Sequence, residues 1–352
     1  MTMNDGVMPR SEIEGKDNSS EDKSNYKVVC KGDMVYNSMR MWQGANGVSN
    51  YDGIVSPAYT VLMPTEEIDN QYFAALFKTS NLINEFRKNS QGLTSDTWNL
   101  KYPQIRPIRL YIPSLQEQNK ISSFIGTLEE RIGKQRQLVD SLKKYKRGAV
   151  RCLLSAKSCP LRNVRWTTAK MGELGNFVKG APLSKADISE DGTPFILYGE
   201  LYTTYNEVVT SVKRRTQAQV DETFLSRVGD VVIPTSGETP EEISTASCVM
   251  LPDVILAGDL NIFRGDKVDG RIMSYLLNHV VNGKIARIAQ GKSVVHVQAS
   301  ELCKLTLTYP DKSTQNTIIG FLSLLDDKIM NEENSLAFLS DLKEGLLQQL
   351  FI

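Results

Sequence analysis

The chain repeats itself. At an offset of 197 residues, Ile112-Pro113-Ser114-Leu115-Gln116-Glu117-Gln118-Asn119-Lys120-Ile121 lies over Tyr309-Pro310-Asp311-Lys312-Ser313-Thr314-Gln315-Asn316-Thr317-Ile318. The register continues without a gap through Phe124/Phe321, Leu128/Leu325, Ile132/Ile329, Leu142/Leu339, Lys146/Lys343 and Gly148/Gly345. The same offset aligns Gly32-Asp33 with Gly229-Asp230 and Val35 with Val232, while Gln91-Gly92 meets Gln290-Gly291 after small gaps. Self-similarity of this kind commits the fold to two copies of one unit. Each unit is a variable domain followed by a long helical segment. Residues from about Trp166 to Leu197 have no counterpart in the first copy, which therefore begins partway into its domain.

The helical segments set the architecture. Pro113 and Pro310 fix extended entries, and no proline follows between Gln116 and Ser155. Apolar residues recur at Ile121, Phe124, Ile125, Leu128, Ile132, Leu138, Val139, Leu142 and Tyr145. They recur again at Ile318, Phe321, Leu322, Leu325, Ile329, Leu336, Leu339, Leu342 and Leu346. This is a heptad-like stripe. Polar residues interrupt it at Arg131/Lys328 and Gln135/Glu332, as in a pairing that holds one register. Residues 116–155 carry nine Lys/Arg and four Asp/Glu, net +5, and residues 313–352 carry two and six, net −4. Two amphipathic helices of opposite charge are expected to pair within the chain, antiparallel, with one domain at each end. Packing of each helix on its own domain, or self-association, is the alternative.

The preceding domains read as α/β (α+β). Lys27–Cys30, Met34–Tyr36 and Ile54–Leu62 read as strands, and Asp69–Phe86 as a helix. In the second copy Thr193–Leu197, Val228–Ile233, Ala246–Leu251 and Ile262-Phe263 read as strands, and Gly270–Ile288 as a helix. The expected domains are 1–112, with 1–25 polar and poorly ordered, then 113–155, 156–309 and 310–352.

Composition narrows the function by exclusion. Lys plus Arg and Asp plus Glu both number 41, so the chain is no uniformly basic nucleic-acid carrier, although local patches remain open. No apolar run approaches the ~20 residues of a membrane span, and the N-terminus lacks a signal-peptide core. Five cysteines without CxxC spacing read as reduced thiols of a cytoplasmic protein. With only His279 and His296, a zinc site or a histidine-based triad is not expected. There is no GxGxxG after a strand. Gly291-Lys292-Ser293 resembles the end of a phosphate loop, but the glycine needed five residues earlier is Ala286. No Asn/Asp-Pro-Pro-aromatic tetrapeptide of an amino-methyltransferase occurs. Glu241-Glu242 and Asp326-Asp327 read as solvated faces, and no nucleophile–base pair emerges.

Other residues suit DNA. Asn37, Ser38, Arg40, Trp42, Gln43 and Asn46 follow a strand and combine side chains that bond adenine and guanine edges with an aromatic. Read blandly, they form a surface loop with Met41 and Trp42 in the core. Lys213-Arg214-Arg215 is a basic run, a phosphate contact if it faces DNA. Thr94 and Lys292-Ser293 lie in matching loops of the two copies. Lys179, Lys185, Tyr202 and His296 complete the DNA-contact candidates.

Together these features resemble the specificity subunit of a type I restriction–modification system, over essentially the whole chain. The paired segments from Ile112-Pro113 to Ser155 and from Tyr309-Pro310 to Ile352 carry the resemblance. Each runs from proline through Gln/Asn into a long heptad helix with a Lys-x-Gly near its end. Trp166-Thr-Thr-Ala-Lys-Met-Gly-Glu-Leu-Gly175 and Gly192-Thr-Pro-Phe195 are similar to the opening of a target-recognition domain, and Asp17 to Gly44 to the middle of one. The departure is the shortened first domain.

The resemblance implies two target-recognition domains, each reading half of a bipartite double-stranded DNA target, with two antiparallel helices setting the gap. It implies docking of two adenine methyltransferase subunits, which bind S-adenosylmethionine, and of restriction/translocase subunits. Ile121, Phe124, Leu128, Leu142, Ile318, Phe321, Leu325 and Leu339 are the candidate docking positions. The chain itself is then expected to hold no cofactor and to catalyse nothing. The competing readings are a coiled-coil scaffold, or a decayed or rearranged specificity subunit without full base reading, and thirdly an autonomous methyltransferase.

Overall fold

The computed structural model describes residues 7–13, 19–289 and 295–351. The chain forms two compact units, Met1–Leu138 with Asn331–Ile352, and Val139–Met330. The first holds β1 (Lys27–Val29), β2 (Met34–Asn37), β3 (Asn46–Val48), β4 (Gly53–Val55), β5 (Tyr59–Leu62), α1 (Asn70–Leu76), α2 (Ser80–Asn89), α3 (Tyr102–Ile105) and the start of α4 (Leu115–Leu153). The second opens with β6 (Trp166–Lys170), α5 (Met171–Leu174), β7 (Asn176–Lys179), β8 (Thr193–Leu197), α6 (Glu200–Thr203), β9 (Val208–Val209) and β10 (Arg214–Thr216). It continues with β11 (Asp230–Pro234), β12 (Ser236–Gly237), α7 (Pro240–Ile243), β13 (Ser247–Val249), β14 (Ile255–Ala257) and β15 (Leu260–Arg264). It closes with α8 (Gly270–His279), α9 (Asn282–Ile288), β16 (Val295–His296), α10 (Ala299–Leu302), β17 (Thr306–Pro310) and the start of α11 (Lys312–Leu350).

The sequence repeat is a structural repeat. The first unit's antiparallel sheet, β3-β2-β5, pairs Met34 with Val48 and Leu62. The second unit's sheet, β7-β15-β11-β13-β9, has the same three strands at its centre, with Val231 paired to Cys248 and Phe263. The turn entering the central strand is built alike in both. Gly32 and Gly229 take φ of +98° and +96°, a region that favours glycine. Asp33 Oδ2 accepts the Cys30 N–H at 2.8 Å, and Asp230 Oδ2 accepts the Arg227 N–H at 2.9 Å.

Three expected elements are broken by local chemistry. Residues 54–62 form two strands because Ser56-Pro57-Ala58 makes a turn, closed by the Tyr59 N–H on the Ser56 carbonyl (3.0 Å). The helix read over 69–86 divides at Thr79, whose hydroxyl and N–H both return to the Leu76 carbonyl. The helix read over 270–288 divides at the β-branched pair Val280-Val281, whose N–H groups both bond the Leu276 carbonyl. Of the N-terminal 25 residues, Arg10–Glu12 form one short 3-10 turn, and residues 1–6 and 14–18 lie outside the described residues.

Helices α4 and α11 each span 39 residues, about 58 Å at ~1.5 Å per residue. They pack against each other antiparallel, as the stripes and charges predicted. In the first unit Gln135 Nε2 donates to Glu332 Oε2 (2.6 Å) and to its carbonyl (3.0 Å), and Lys343 pairs with Glu129 at 2.5 Å. In the second unit Lys146 pairs with Asp326 at 2.6 Å. Glu129–Lys343 and Asp326–Lys146 are one contact made twice, since each residue sits 197 from its counterpart. Arg131 and Lys328, expected in the seam, are exposed. Arg131 stands one residue off the inward row Leu128, Ile132 and Gln135, and Lys328 one residue off the matching row Leu325, Ile329 and Glu332.

A matching glutamine ties each domain to the start of its helix. Gln118 Oε1 accepts the Asp69 N–H (3.0 Å), and its Nε2 donates to the Glu67 and Pro113 carbonyls. Gln315, its counterpart, accepts the Asp269 N–H (2.9 Å) and donates to the Pro310 carbonyl (2.8 Å). Both are buried, and Asp69 and Asp269 cap α1 and α8. In the first unit Phe351 closes over the core at Tyr72, ring centroids 5.0 Å apart. In the second, Val150, Leu154, Ile318, Ile319 and Leu322 join the domain core around Val231, Ile233 and Ile272.

A buried polar cluster reinforces the second attachment. Lys146 Nζ meets Glu207 Oε2 at 2.8 Å, and His279 Nε2 lies 2.5 Å from Glu207 Oε1. Tyr275 donates to Asp326 Oδ2 at 3.0 Å. Burial acts to raise the Glu207 carboxyl, but the His279 hydrogen bond and the Lys146 ammonium outweigh it and hold it at about 2. Burial likewise works against the Lys146 charge, and Glu207 and Asp326 overcome it and raise the ammonium's value.

Candidate nucleic-acid interface

In the first unit the loop after β2 is set by short-range bonds. Asn37 Oδ1 accepts the Met39 N–H (3.0 Å), and Trp42 Nε1 donates to the Met39 carbonyl (3.1 Å). This presents Arg40 to solvent, with Trp42 and Gln43 half-buried. Trp98 stands edge-on to Trp42, with centroids 5.2 Å apart, and the Arg87 guanidinium lies 5.8 Å from the Trp42 ring centre. Trp98 belongs to the Gln91–Asn99 loop, closed by the bridge between those two residues. Gly92 has φ +150°, and a Cβ there would meet the Thr97 carbonyl at 2.7 Å. Leu93 at the tip is fully exposed, and exposed Thr94 caps the turn Ser95–Thr97.

Two sequence candidates are absorbed by the fold. Ser38 is buried, its hydroxyl on Thr60 Oγ1 (3.1 Å). Asn46 is fully buried in β3, its amide donating to the Gly44 carbonyl (3.1 Å). Arg87 and Trp98 join the candidates only in the structure, through their contacts with Trp42. The signal for Trp98 was its place in the loop already matched between copies, whereas Arg87 is joined to the site only by folding.

In the second unit, strand pairing gathers candidates at one end of the sheets. Lys179 faces Asn261 across β7 and β15, Ser236 faces His296 across β12 and β16, and β11 ends beside β15 at Pro234–Leu260. Lys213 precedes β10 near the C-terminal end of β8, its N–H on the Tyr205 hydroxyl (3.1 Å). Lys179, Lys213 and His296 are exposed there, and Lys185 is exposed in the turn Lys185–Asp187 after β7. Tyr202 is half-buried, and burial, then Glu242, push its hydroxyl value up. The loop matching Asn37–Asn46 is acidic here, with Glu238, Glu241 and Glu242 around the capped turn α7.

The basic run is not one site. Arg214 Nε is held by Glu200 Oε1 at 2.8 Å, a buried carboxylate, and Arg215 bonds the Gly192 carbonyl at the other end of β8. Lys292 and Ser293 lie outside the described residues. The helix positions divide as well. Ile318, Leu325 and Leu339 are buried, Ile121, Leu128 and Leu142 half-buried, and Phe124 and Phe321 exposed at 52% and 42%.

Among the described residues no group of three His, Cys, Asp or Glu is placed to hold a metal ion, and no helix is long and apolar enough to cross a membrane. The fold defines a class of protein in which two α/β modules are mounted on one antiparallel pair of long helices. The family model for the type I restriction modification DNA specificity domain matches residues 2–144 and 163–338, and the chain belongs to that family. It is a non-catalytic DNA specificity subunit.

Solved structures agree on the fold. The type I restriction–modification S subunit from M. genitalium is 15% identical, with TM-score 0.59 over 99% of this chain and 92% of that one. A chain from a structure describing complex assembly and conformational transition of the type I R-M system is 16% identical, with TM-score 0.59 over 94% and 84%. No curated protein matches significantly.

Proposed function

We propose that this chain reads a bipartite DNA target, one half through each unit, and holds two adenine methyltransferase subunits on its helix pair. The observation that carries the reading is the duplicated attachment. The same glutamine clamp and the same Lys–carboxylate contact occur in both copies. A protein made of two equivalent modules on one helix pair suits two half-sites at a fixed gap. In the first module Arg40, Gln43, Arg87 and the Trp42–Trp98 pair face DNA, with Asn37 and Thr94 at the margin. In the second, Lys179, Lys185, Lys213 and His296 contact phosphate around the Glu238–Glu242 loop, whose carboxylates suit cytosine amino groups. The first domain ends near residue 112 and the second runs from 156 to 309.

Three exposed positions recur unchanged in both copies: Asn119/Asn316, Phe124/Phe321 and Gly148/Gly345. A helical glycine costs about 1 kcal/mol against alanine. Nothing in this chain lies within 4 Å of a Cβ at Gly148 or Gly345. Their recurrence supports a partner that approaches the helices twice. The methyltransferase subunits would bring S-adenosylmethionine, restriction/translocase subunits would join that assembly, and the complex would work in the cytoplasm.

Matched insertion of four residues after Gln135 and after Glu332 lengthens both helices by about 6 Å. Methylated-site mapping should show the gap changed and both half-sites kept; an unchanged gap with retained activity overturns the helix ruler. The scaffold reading draws on the first unit, which has no counterpart of Trp166–Leu197 among its described residues. Selection from a randomised duplex pool separates the two: two enriched half-sites support the reader, and unselective binding supports the scaffold.

A further inference from the structure

The Gln91–Asn99 loop of the first unit is a rigid frame around one apolar side chain. Its ends are closed by two backbone bonds, the Gln91 N–H to the Asn99 carbonyl (3.0 Å) and the Asn99 N–H to the Gln91 carbonyl (2.9 Å). Inside it the Thr97 N–H and hydroxyl both donate to the Thr94 carbonyl (2.9 Å each), and the Thr94 N–H donates to the Thr97 hydroxyl (3.2 Å). Beyond it Leu100 is fully buried, and its N–H bonds the Ser38 carbonyl (2.7 Å). The frame is thereby tied to the loop that carries Arg40 and Trp42, and Trp98 meets Trp42 from it.

Leu93, at the tip, is fully exposed between Gly92 and the polar run Thr94-Ser95-Asp96. A lone exposed leucine on a surface is ordinary. This one is braced, and it stands in the loop next to the arginines and tryptophans proposed to face DNA. The brace removes freedom in advance, so insertion into a partner costs little further ordering. The two copies differ at this residue. The position after Gln290-Gly291 in the second is Lys292, a side chain that suits phosphate. Leucine offers DNA no hydrogen bond and only apolar surface, and it is among the side chains that wedge between base pairs.

We propose that Leu93 is a wedge that enters the base stack at the first unit's half-site and partly unstacks one step. The proposal rests on the reading of DNA by the first unit set out above. Unstacking is easiest at pyrimidine–purine steps, so one such step lies where Leu93 enters. Selectivity at that step comes from the ease of deforming it and not from a hydrogen bond to a base edge. The second unit, with lysine at the matching place, opens no step by this route.

The test uses the full chain and the duplex that it enriches from a randomised pool. 2-Aminopurine, whose fluorescence rises when its neighbours unstack, replaces each purine in turn. One position, in one half-site only, should brighten several-fold on binding. Leu93→Ala and Leu93→Lys should abolish the rise, and Leu93→Met should keep it. All three should melt like wild type, since the side chain is fully exposed. Leu93→Ala should also lose about tenfold in affinity, and the loss should nearly vanish on a duplex with an abasic site at that step, where the stack is already open. No brightening by a chain that still selects two half-sites overturns the wedge and leaves DNA reading standing. Brightening that survives Leu93→Ala overturns it as well. A chain that selects no half-site overturns both readings.

Discussion

Gln135 and Glu332 stand 197 residues apart, the repeat offset itself, and hydrogen-bond to each other, Nε2 to Oε2 at 2.6 Å. In an antiparallel pair of copies, equivalent positions meet only at the middle of the pair, so this contact marks where the register is set. Gln135→Ala should cost about 1 kcal/mol by removing its hydrogen bonds to the Glu332 carboxylate and carbonyl, and Glu332→Gln, which keeps the carbonyl bond, should cost less. Urea denaturation of both variants checks the order.

The glutamine clamps predict a matched pair of losses. Gln118→Leu and Gln315→Leu each strand a helix-capping backbone N–H and should each destabilise by about 1–3 kcal/mol. Segment-resolved exchange should place the first loss at α1 and the second at α8. A loss spread over the whole chain in either variant contradicts separate anchors.

Lys146→Met leaves Glu207 charged and buried and should cost about 3 kcal/mol. The pH dependence follows from the depressed Glu207 value. Its contribution is present above the unfolded value of ~4.3 and is lost as pH falls toward about 2. The wild-type midpoint in thermal denaturation should drop across that window, and Glu207→Gln should flatten the drop.

Lys213 and Arg214 are neighbours with different expected readouts. Lys213→Ala should lower the slope of log affinity against log salt by about one phosphate contact. Arg214→Ala should leave the slope unchanged and destabilise the second unit by about 1–2 kcal/mol, because it uncovers Glu200. Equal salt slopes for the two variants would contradict the assignment.

Arg40→Ala should lose about 1–3 kcal/mol on one half-site only. Arg87→Ala should weaken binding to all sequences alike. Binding isotherms with each half-site scrambled in turn distinguish base reading from backbone contact.

Sequence made the architecture legible because long helices carry their own periodicity and an internal repeat gives two readings of one fold. The helix breaks at Thr79 and Val280-Val281 were not legible, since each depends on which carbonyl a returning N–H finds. The geometry of the candidate interface was half legible. Arg40 and Trp42 advertise themselves by type and place, whereas burial of Ser38 and Asn46 and capture of Arg214 by Glu200 arise only when distant strands meet. Arg87 reaches Trp42 from a helix more than forty residues away, a proximity that no local pattern carries.

The paired clamps at Gln118 and Gln315 have a consequence for how such chains diversify. Both domains plug into their helices through the same socket, a glutamine that grips a capping aspartate's backbone and the carbonyl of the entry proline. The socket involves no residue of the candidate DNA-facing loops. A foreign domain that ends in the same proline and offers the same aspartate finds its mount ready-made. In the second unit the mount is deeper, since Val150, Leu154 and Ile318 must also fit the incoming core and Lys146 must find a carboxylate such as Glu207.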